Sequence, residues 1–432
     1  MALVMSMLRL MQSSRPYGVF ISHHKRAAGT LARWFKIMLS EKMNERIFLD
    51  SDDVEYLETI IDITSAGTEN LLVLITSETL SRVWCAAEVS SAWSSGTNIV
   101  LVACDGCGVT HEDIEAIPSV WTEEQRTTLT NIGVSFQSVK DAYLGLLAKP
   151  VVTLDRRGAD LQEHELAAQR VLGLCTGISR NLARMISPGT NSNDLASFDN
   201  PGLVMLGDIQ GSEQGSCCRV IQLLLQRQLE EQICLLNPDL AALDMKSLHI
   251  IVKGAKAVLV ILTQGILEHA PFAACLTACA VSDAELIPVR ADESFLYPDP
   301  LFWENLVAET FFTERYLASC GTELATVKAT YTLLFNMLAL KFTSHGTESI
   351  QTTEIHLMCG RILPLMRPDA QPPSIQVSKS FKRNSGRESR RDSIRISIRE
   401  SFRRNTSKRD SESTHGTGTP NDKEDVEVEE AF

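Results

Sequence analysis

Sliding the chain on itself by 187 residues aligns a long stretch without a gap, and this repeat constrains the fold more than any other feature. Residues 71–80 (LLVLITSETL) fall on 258–267 (VLVILTQGIL), and residues 98–105 (NIVLVACD) fall on 285–292 (ELIPVRAD). With the same offset Gly67 meets Gly254 and Asp52 meets Asp239. The register holds from about Ile47 to Asp105, so the chain reads as two copies of one domain. Its 432 residues agree, since single cores stop growing well below that size.

Each copy alternates short apolar runs with helical stretches, the pattern of a parallel sheet covered by helices. In the first, residues 17–22 (YGVFIS), 46–50 (RIFLD), 70–76 (NLLVLIT) and 98–104 (NIVLVAC) read as buried strands. Between them Leu31, Trp34, Phe35, Met38 and Leu39, then Leu57, Ile60 and Ile61, recur at helical spacing and give each crossover one apolar face. Right-handed βαβ packing follows.

The implied organisation is an N-terminal arm at 1–16, a first domain at 17–150, a helical connector and polar linker at 151–200 and a second domain at 201–345. A helical extension at 346–367 and a tail at 368–432 complete it. The tail is rich in Ser and Arg, then acidic, and such a composition cannot offset its ordering entropy by burial, so it is expected to be disordered.

A net charge of −13 argues against nucleic acid as the main ligand of the whole molecule, because phosphate neutralisation needs clustered Lys and Arg, and no nucleic-acid partner is expected. The eleven cysteines are scattered through apolar stretches without a spaced framework, which points to a reducing compartment. The arm, broken by Arg9, lacks the cleavage signal of a secretory peptide and reads as a short amphipathic arm or an organelle-targeting segment. The longest apolar runs fall short of the roughly 18 residues that span a bilayer, and a soluble, cytoplasmic protein is expected.

Three segments of the first copy carry a family resemblance. They are Val19-Phe20-Ile21-Ser22, then Phe48-Leu49-Asp50-Ser51-Asp52-Asp53, then Leu80-Ser81-Arg82-Val83-Trp84-Cys85-Ala86-Ala87-Glu88-Val89. In this order they resemble the TIR (Toll/interleukin-1 receptor-like) domain, and the last is similar to that family's Trp-Cys-x-x-Glu signature. The resemblance covers roughly residues 17–147. It implies an α/β fold of two flavodoxin-like domains with parallel sheets, the second copy degenerate. It also implies self-association in signalling and, in some members, hydrolysis of NAD. The carboxylate of the signature is catalytic in those enzymes, which carries over to Glu88.

That chemistry is physically sensible at one carboxylate. Breaking the nicotinamide–ribose bond releases a neutral leaving group from a cation through an oxocarbenium-like state, which a fixed negative charge stabilises. The resemblance extends weaker expectations of NAD contact to Trp84 and Asp50. The basic run His23-His24-Lys25-Arg26 reads as a loop able to hold a pyrophosphate or simply as a solvated one. Glu88 also has a plain alternative, a solvated first-turn residue at the positive end of its helix. In the second copy the same position is Cys275, and Trp84 is matched by Pro271, so that copy is expected to be catalytically silent.

Other motifs lead less far. Cys104-Asp105-Gly106-Cys107 with His111 has the spacing of half a zinc site or a redox pair, but no second pair accompanies it, and no metal is expected. Neither a Gly-x-Ser-x-Gly elbow nor a phosphate-loop motif occurs. In the tail, Ser385, Ser393, Thr406 and Ser411 each follow two basic residues and a spacer, as basic-directed kinases of the cyclic-nucleotide-dependent type prefer. Residues 377–411 hold twelve Lys or Arg against four Asp or Glu. Phosphorylation would erase most of that charge, making the tail an electrostatic switch toward an acidic partner, an anionic membrane surface or the acidic domains.

The expectation is therefore an intracellular signal-transduction protein whose TIR-like domains bind themselves or other TIR-containing proteins. NAD hydrolysis through Glu88 is the alternative. No resident cofactor is expected, NAD entering only as a possible substrate.

Overall fold

Short runs of Val, Ile and Leu become strands here because most are buried on both faces of a parallel sheet, where branched side chains pack well. The computed structural model describes residues 15–53, 59–157, 161–179 and 201–366. Most of the N-terminal arm, residues 180–200 of the linker, and the tail with Ser385, Ser393, Thr406 and Ser411 lie outside the described residues.

The first half runs β1 (Tyr17–Ser22), α1 (Lys25–Lys42), β2 (Arg46–Phe48), α2 (Asp50–Asp53), α3 (Thr59–Ala66), β3 (Thr68–Ile75), α4 (Val83–Ser95) and β4 (Asn98–Cys104). Then follow α5 (His111–Val120), α6 (Glu123–Asn131), α7 (Phe136–Leu146), β5 (Val151–Leu154) and α8 (Leu161–Leu174). The second runs β6 (Leu203–Leu206), α9 (Ser212–Leu229), β7 (Ile233–Leu236), α10 (Pro238–Leu243), α11 (Met245–Gly254), β8 (Ala257–Leu262), α12 (Ala270–Val281) and β9 (Glu285–Arg290). It ends with α13 (Pro300–Val307), α14 (Glu314–Ser319), α15 (Leu324–Phe335), β10 (Leu340–Lys341) and α16 (Glu348–Met366).

Two five-stranded parallel sheets result, ordered β2-β1-β3-β4-β5 and β7-β6-β8-β9-β10. The order is the same in both, the flavodoxin-like arrangement. The 187-residue offset extends beyond the stretch legible in sequence: α4 and α12 start at Val83 and Ala270, and α8 and α16 start at Leu161 and Glu348. It fails at the first strand. Val19 sits opposite Asn70, whereas Leu203 sits opposite Ala257, so β6 stands three residues early. The loop between β6 and α9 absorbs the difference, spanning residues 207–211 where β1 and α1 are joined by His23 and His24 alone.

Val151–Leu154 is a strand, contrary to the helical reading of that stretch, and it pairs with β4 through Leu101 opposite Val151. The helical extension in turn packs against α9.

The two sheets face each other across a shared layer of helices. Leu31, Phe35 and Met38 of α1 join Val220, Ile221 and Leu225 of α9 in one core, to which α8 adds Val171 and α16 adds Met358. Equivalent helices therefore meet at the centre. Separate apolar clusters lie on the outer faces, one around α4 and α7 in the first half and one around α12 and α15 in the second.

Polar contacts lock this pairing at both ends. Arg156, 4% exposed, donates from Nε to Asp105 Oδ2 at 2.9 Å and from Nη1 to Glu213 Oε1 at 3.0 Å. The same Nη1 also donates to the Ala27 carbonyl at 2.7 Å. Glu213 Oε2 accepts from the Thr30 amide at 2.8 Å, and Ser212 Oγ donates to Asp105 at 2.8 Å. At the opposite end Arg33 Nη2 donates to the Gly346 carbonyl at 2.9 Å, and the Glu348 amide donates to Asp52 Oδ1 at 2.7 Å. Gly29 admits this contact: a Cβ there would stand 2.5 Å from Nδ1 of His345.

The paired helices make a prediction. A chain cut to residues 1–200 exposes Leu31, Phe35 and Met38, and burial of such faces drives association at about 25 cal/mol per Å². It should self-associate in sedimentation velocity, whereas a monomeric fragment would mean that α1 is no pairing surface.

Candidate functional site

The Trp-Cys-x-x-Glu segment is placed by a tight turn between β3 and α4. Thr79 Oγ1 accepts from the Thr76 amide at 2.8 Å and donates to the Leu74 carbonyl at 3.1 Å, which fixes where the helix starts. Ala86 and Ala87 favour the helix, and Gly96, in the left-handed region with φ of 72°, ends it.

Glu88 is the sixth residue of α4 and 6% exposed, so the solvated first-turn reading is overturned: no acidic side chain occupies that first turn. It points to the carboxyl end of β1, where Ser22 Oγ donates to its Oε2. Among the described residues no cation lies within ion-pair distance of it. Burial pushes its carboxyl up to about 7, against the opposing pull of Arg82 and the Ser22 hydroxyl and with a further push from Asp50.

Polar groups surround this pair. Burial, then the charge of Glu88, raise the Cys85 thiol to about 12, so it is neutral. The Tyr143 hydroxyl is buried and, among the described residues, has no hydrogen-bond partner; burial, with Cys85 and Glu88 nearby, holds it well above the usual phenol range. Asp50 lies 3.8 Å from His23 Nε2 and 3.9 Å from Arg82 Nη2, and Arg82 Nη1 donates to the His23 carbonyl at 3.2 Å.

The basic run is corrected by the structure. Lys25 and Arg26 form the first turn of α1, and His24 is its cap, with Nδ1 accepting from the Ala27 amide at 3.2 Å. His23 is buried, and that burial lowers it to about 4 despite Asp50, so it is uncharged at neutral pH. The cationic part therefore shrinks to Lys25 and Arg26. The acidic run Asp50–Asp53 is a helical turn, and Asp52 is engaged by Arg33 and by Lys36 at 2.7 Å.

Trp84 lies one turn before Glu88 and packs, half-buried, on the outer apolar cluster. Ser22, Cys85 and Tyr143 escaped assignment from sequence; the one hint for Ser22 was its position at a strand's carboxyl end. In the second half Cys275 is fully buried and its Sγ donates to the Pro238 carbonyl at 3.6 Å, leaving no carboxylate there. Cys104 is buried and Cys107 lies in a turn, and among the described residues no group of His, Cys, Asp and Glu could hold a metal ion. Nor, among them, is any helix long and apolar enough to cross a membrane.

A 2-1-3-4-5 parallel sheet with this signature on the helix after its third strand defines a flavodoxin-like fold of the TIR type. Residues 20–107 match the family described as Thoeris protein ThsB, TIR-like domain, and the first half of the chain therefore carries a TIR-like domain. No curated protein matches the chain.

The state of Glu88 gives a second prediction. Its folded pKa lies above the ordinary value of 4.5, so its unfavourable contribution is absent below about pH 4.5 and grows as pH rises to 7. A shift of that size corresponds to roughly 3 kcal/mol. Glu88→Gln should leave stability nearly unchanged at pH 4.5 and raise it by roughly 2–3 kcal/mol at pH 8, measured by urea unfolding. An equal effect at both pH values would contradict the burial argument.

Proposed function

We propose that this is a TIR-type signal-transduction protein whose first half cleaves the nicotinamide–ribose bond of NAD at Glu88, with the second half as a non-catalytic partner. One observation carries the reading: a buried carboxylate that, among the described residues, accepts from one hydroxyl and has no cation within ion-pair distance. Such a group costs stability, and carboxylates perturbed in this way cluster at functional sites, where a cationic ligand would be favoured.

The pyridinium of NAD is that charge. Its approach favours the ionised form of Glu88, and the carboxylate then faces the developing oxocarbenium as neutral nicotinamide departs; water adds to the anomeric carbon, giving ADP-ribose and releasing a proton. Ser22 fixes the carboxylate's orientation. Lys25 and Arg26, in the first turn of α1, suit the pyrophosphate, since a helix start also offers free amides. Incubation with NAD should release nicotinamide in proportion to enzyme and time; a chain that binds NAD without turnover would remove the hydrolase.

The central pairing of α1 with α9 favours a second role for the second half. A TIR-like module that self-associates elsewhere carries its partner here in the same chain, which fits a protein that works through TIR–TIR contacts.

A further inference from the structure

A cavity of about 380 Å³ opens at the carboxyl ends of β8 and β9, in the half without a catalytic carboxylate. Phe295, Tyr297, Phe302 and Phe311 line it, with Glu268 and Asp299 among its polar groups, and among the described residues neither lysine nor arginine does. From Asp292 to Glu314 the chain has six acidic residues and no Lys or Arg.

These rings are particular to the second half. At the 187-residue offset Phe295, Tyr297, Phe302 and Phe311 fall on Gly108, Thr110, Glu115 and Glu124. Only Phe295 of the four is fully buried; Tyr297 is 51% exposed. The rings stand close, Phe295 to Tyr297 at 5.3 Å and Phe302 to Phe311 at 5.1 Å between centroids.

The frame around the cavity is fixed beforehand. Asp292 accepts from the Gln264 amide at 3.1 Å and from the Ser294 amide at 2.8 Å, which ties the two lining loops together. The buried Tyr331 hydroxyl braces the Leu267 carbonyl at 2.8 Å. Asp299 accepts from the Phe302 amide with one oxygen, at 2.7 Å, leaving the other to a ligand.

We propose that this cavity binds a small organic cation with an aromatic body, a quaternary or protonated amine on a flat ring. Aromatic faces attract cations through the ring quadrupole, carboxylates at the wall add long-range attraction, and the lack of basic lining works against phosphates. The proposal is independent of the reaction assigned to Glu88.

The test is calorimetric titration of the full chain with benzyltrimethylammonium, benzyl alcohol and phenylacetate, three probes of similar size and different charge. The cation should saturate and bind at least about tenfold tighter than the anion. Tyr297→Ala, at an exposed position that spares the core, should weaken it about 3- to 30-fold, and Glu268→Gln should weaken it in the same direction. Glu88→Gln should leave it unchanged. Phenylacetate binding as tightly as the cation, absence of saturation, or loss in Glu88→Gln but not in Tyr297→Ala would each overturn the proposal.

Discussion

Arg156→Ala should destabilise the protein by about 3–5 kcal/mol, because it leaves two carboxylates in a buried interface without their cation. Arg156 spans both halves, joining Asp105 at the end of β4 to Glu213 at the start of α9. Burial raises the Asp105 carboxyl, but hydrogen bonds from Arg156 and Ser212 outweigh it and hold the group below the usual range. That contribution is present above the unfolded pKa of 3.8 and lost as pH falls through the lower folded value. Urea unfolding at pH 7 measures the loss. A change below about 1 kcal/mol would place Arg156 among ordinary surface pairs and would weaken the view that the halves are locked together.

Glu88→Gln should reduce nicotinamide release by at least about 100-fold, the scale on which removing a charge-stabilising group acts. The substitution keeps shape and the Ser22 contact while removing the charge. Cys275→Ser, in the second half, should leave turnover unchanged. For the intact protein kcat/KM should rise with pH through about 7 and level off above it, since the free site must be ionised. A flat profile between pH 6 and 8 would assign the chemistry to another group.

Much of this fold was legible because strand burial writes itself into sequence. Tyr17–Ser22 and Asn98–Cys104 are strands with the bounds that their apolar runs suggest. Val151–Leu154 was not, since four residues after a proline at a sheet edge, two of them exposed, carry no distinctive run. The second edge strand is only two residues long, Leu340–Lys341, and shows even less.

The site was half legible. Glu88 lies in a motif, but its burial depends on Ser22, 66 residues away, and the charge of His23 depends on burial that the run of basic letters does not reveal. The interface was silent in sequence. Asp105, Arg156 and Glu213 are each unremarkable alone, and only the packing of α1 against α9 brings them together.

The most direct test is incubation of the purified full chain with NAD carrying a labelled nicotinamide ring, followed by quantification of the freed ring. The account predicts release that is linear in enzyme, faster at pH 8 than at pH 6, and at least about 100-fold slower in Glu88→Gln. No release from the intact protein at either pH, or equal release from Glu88→Gln, would contradict it.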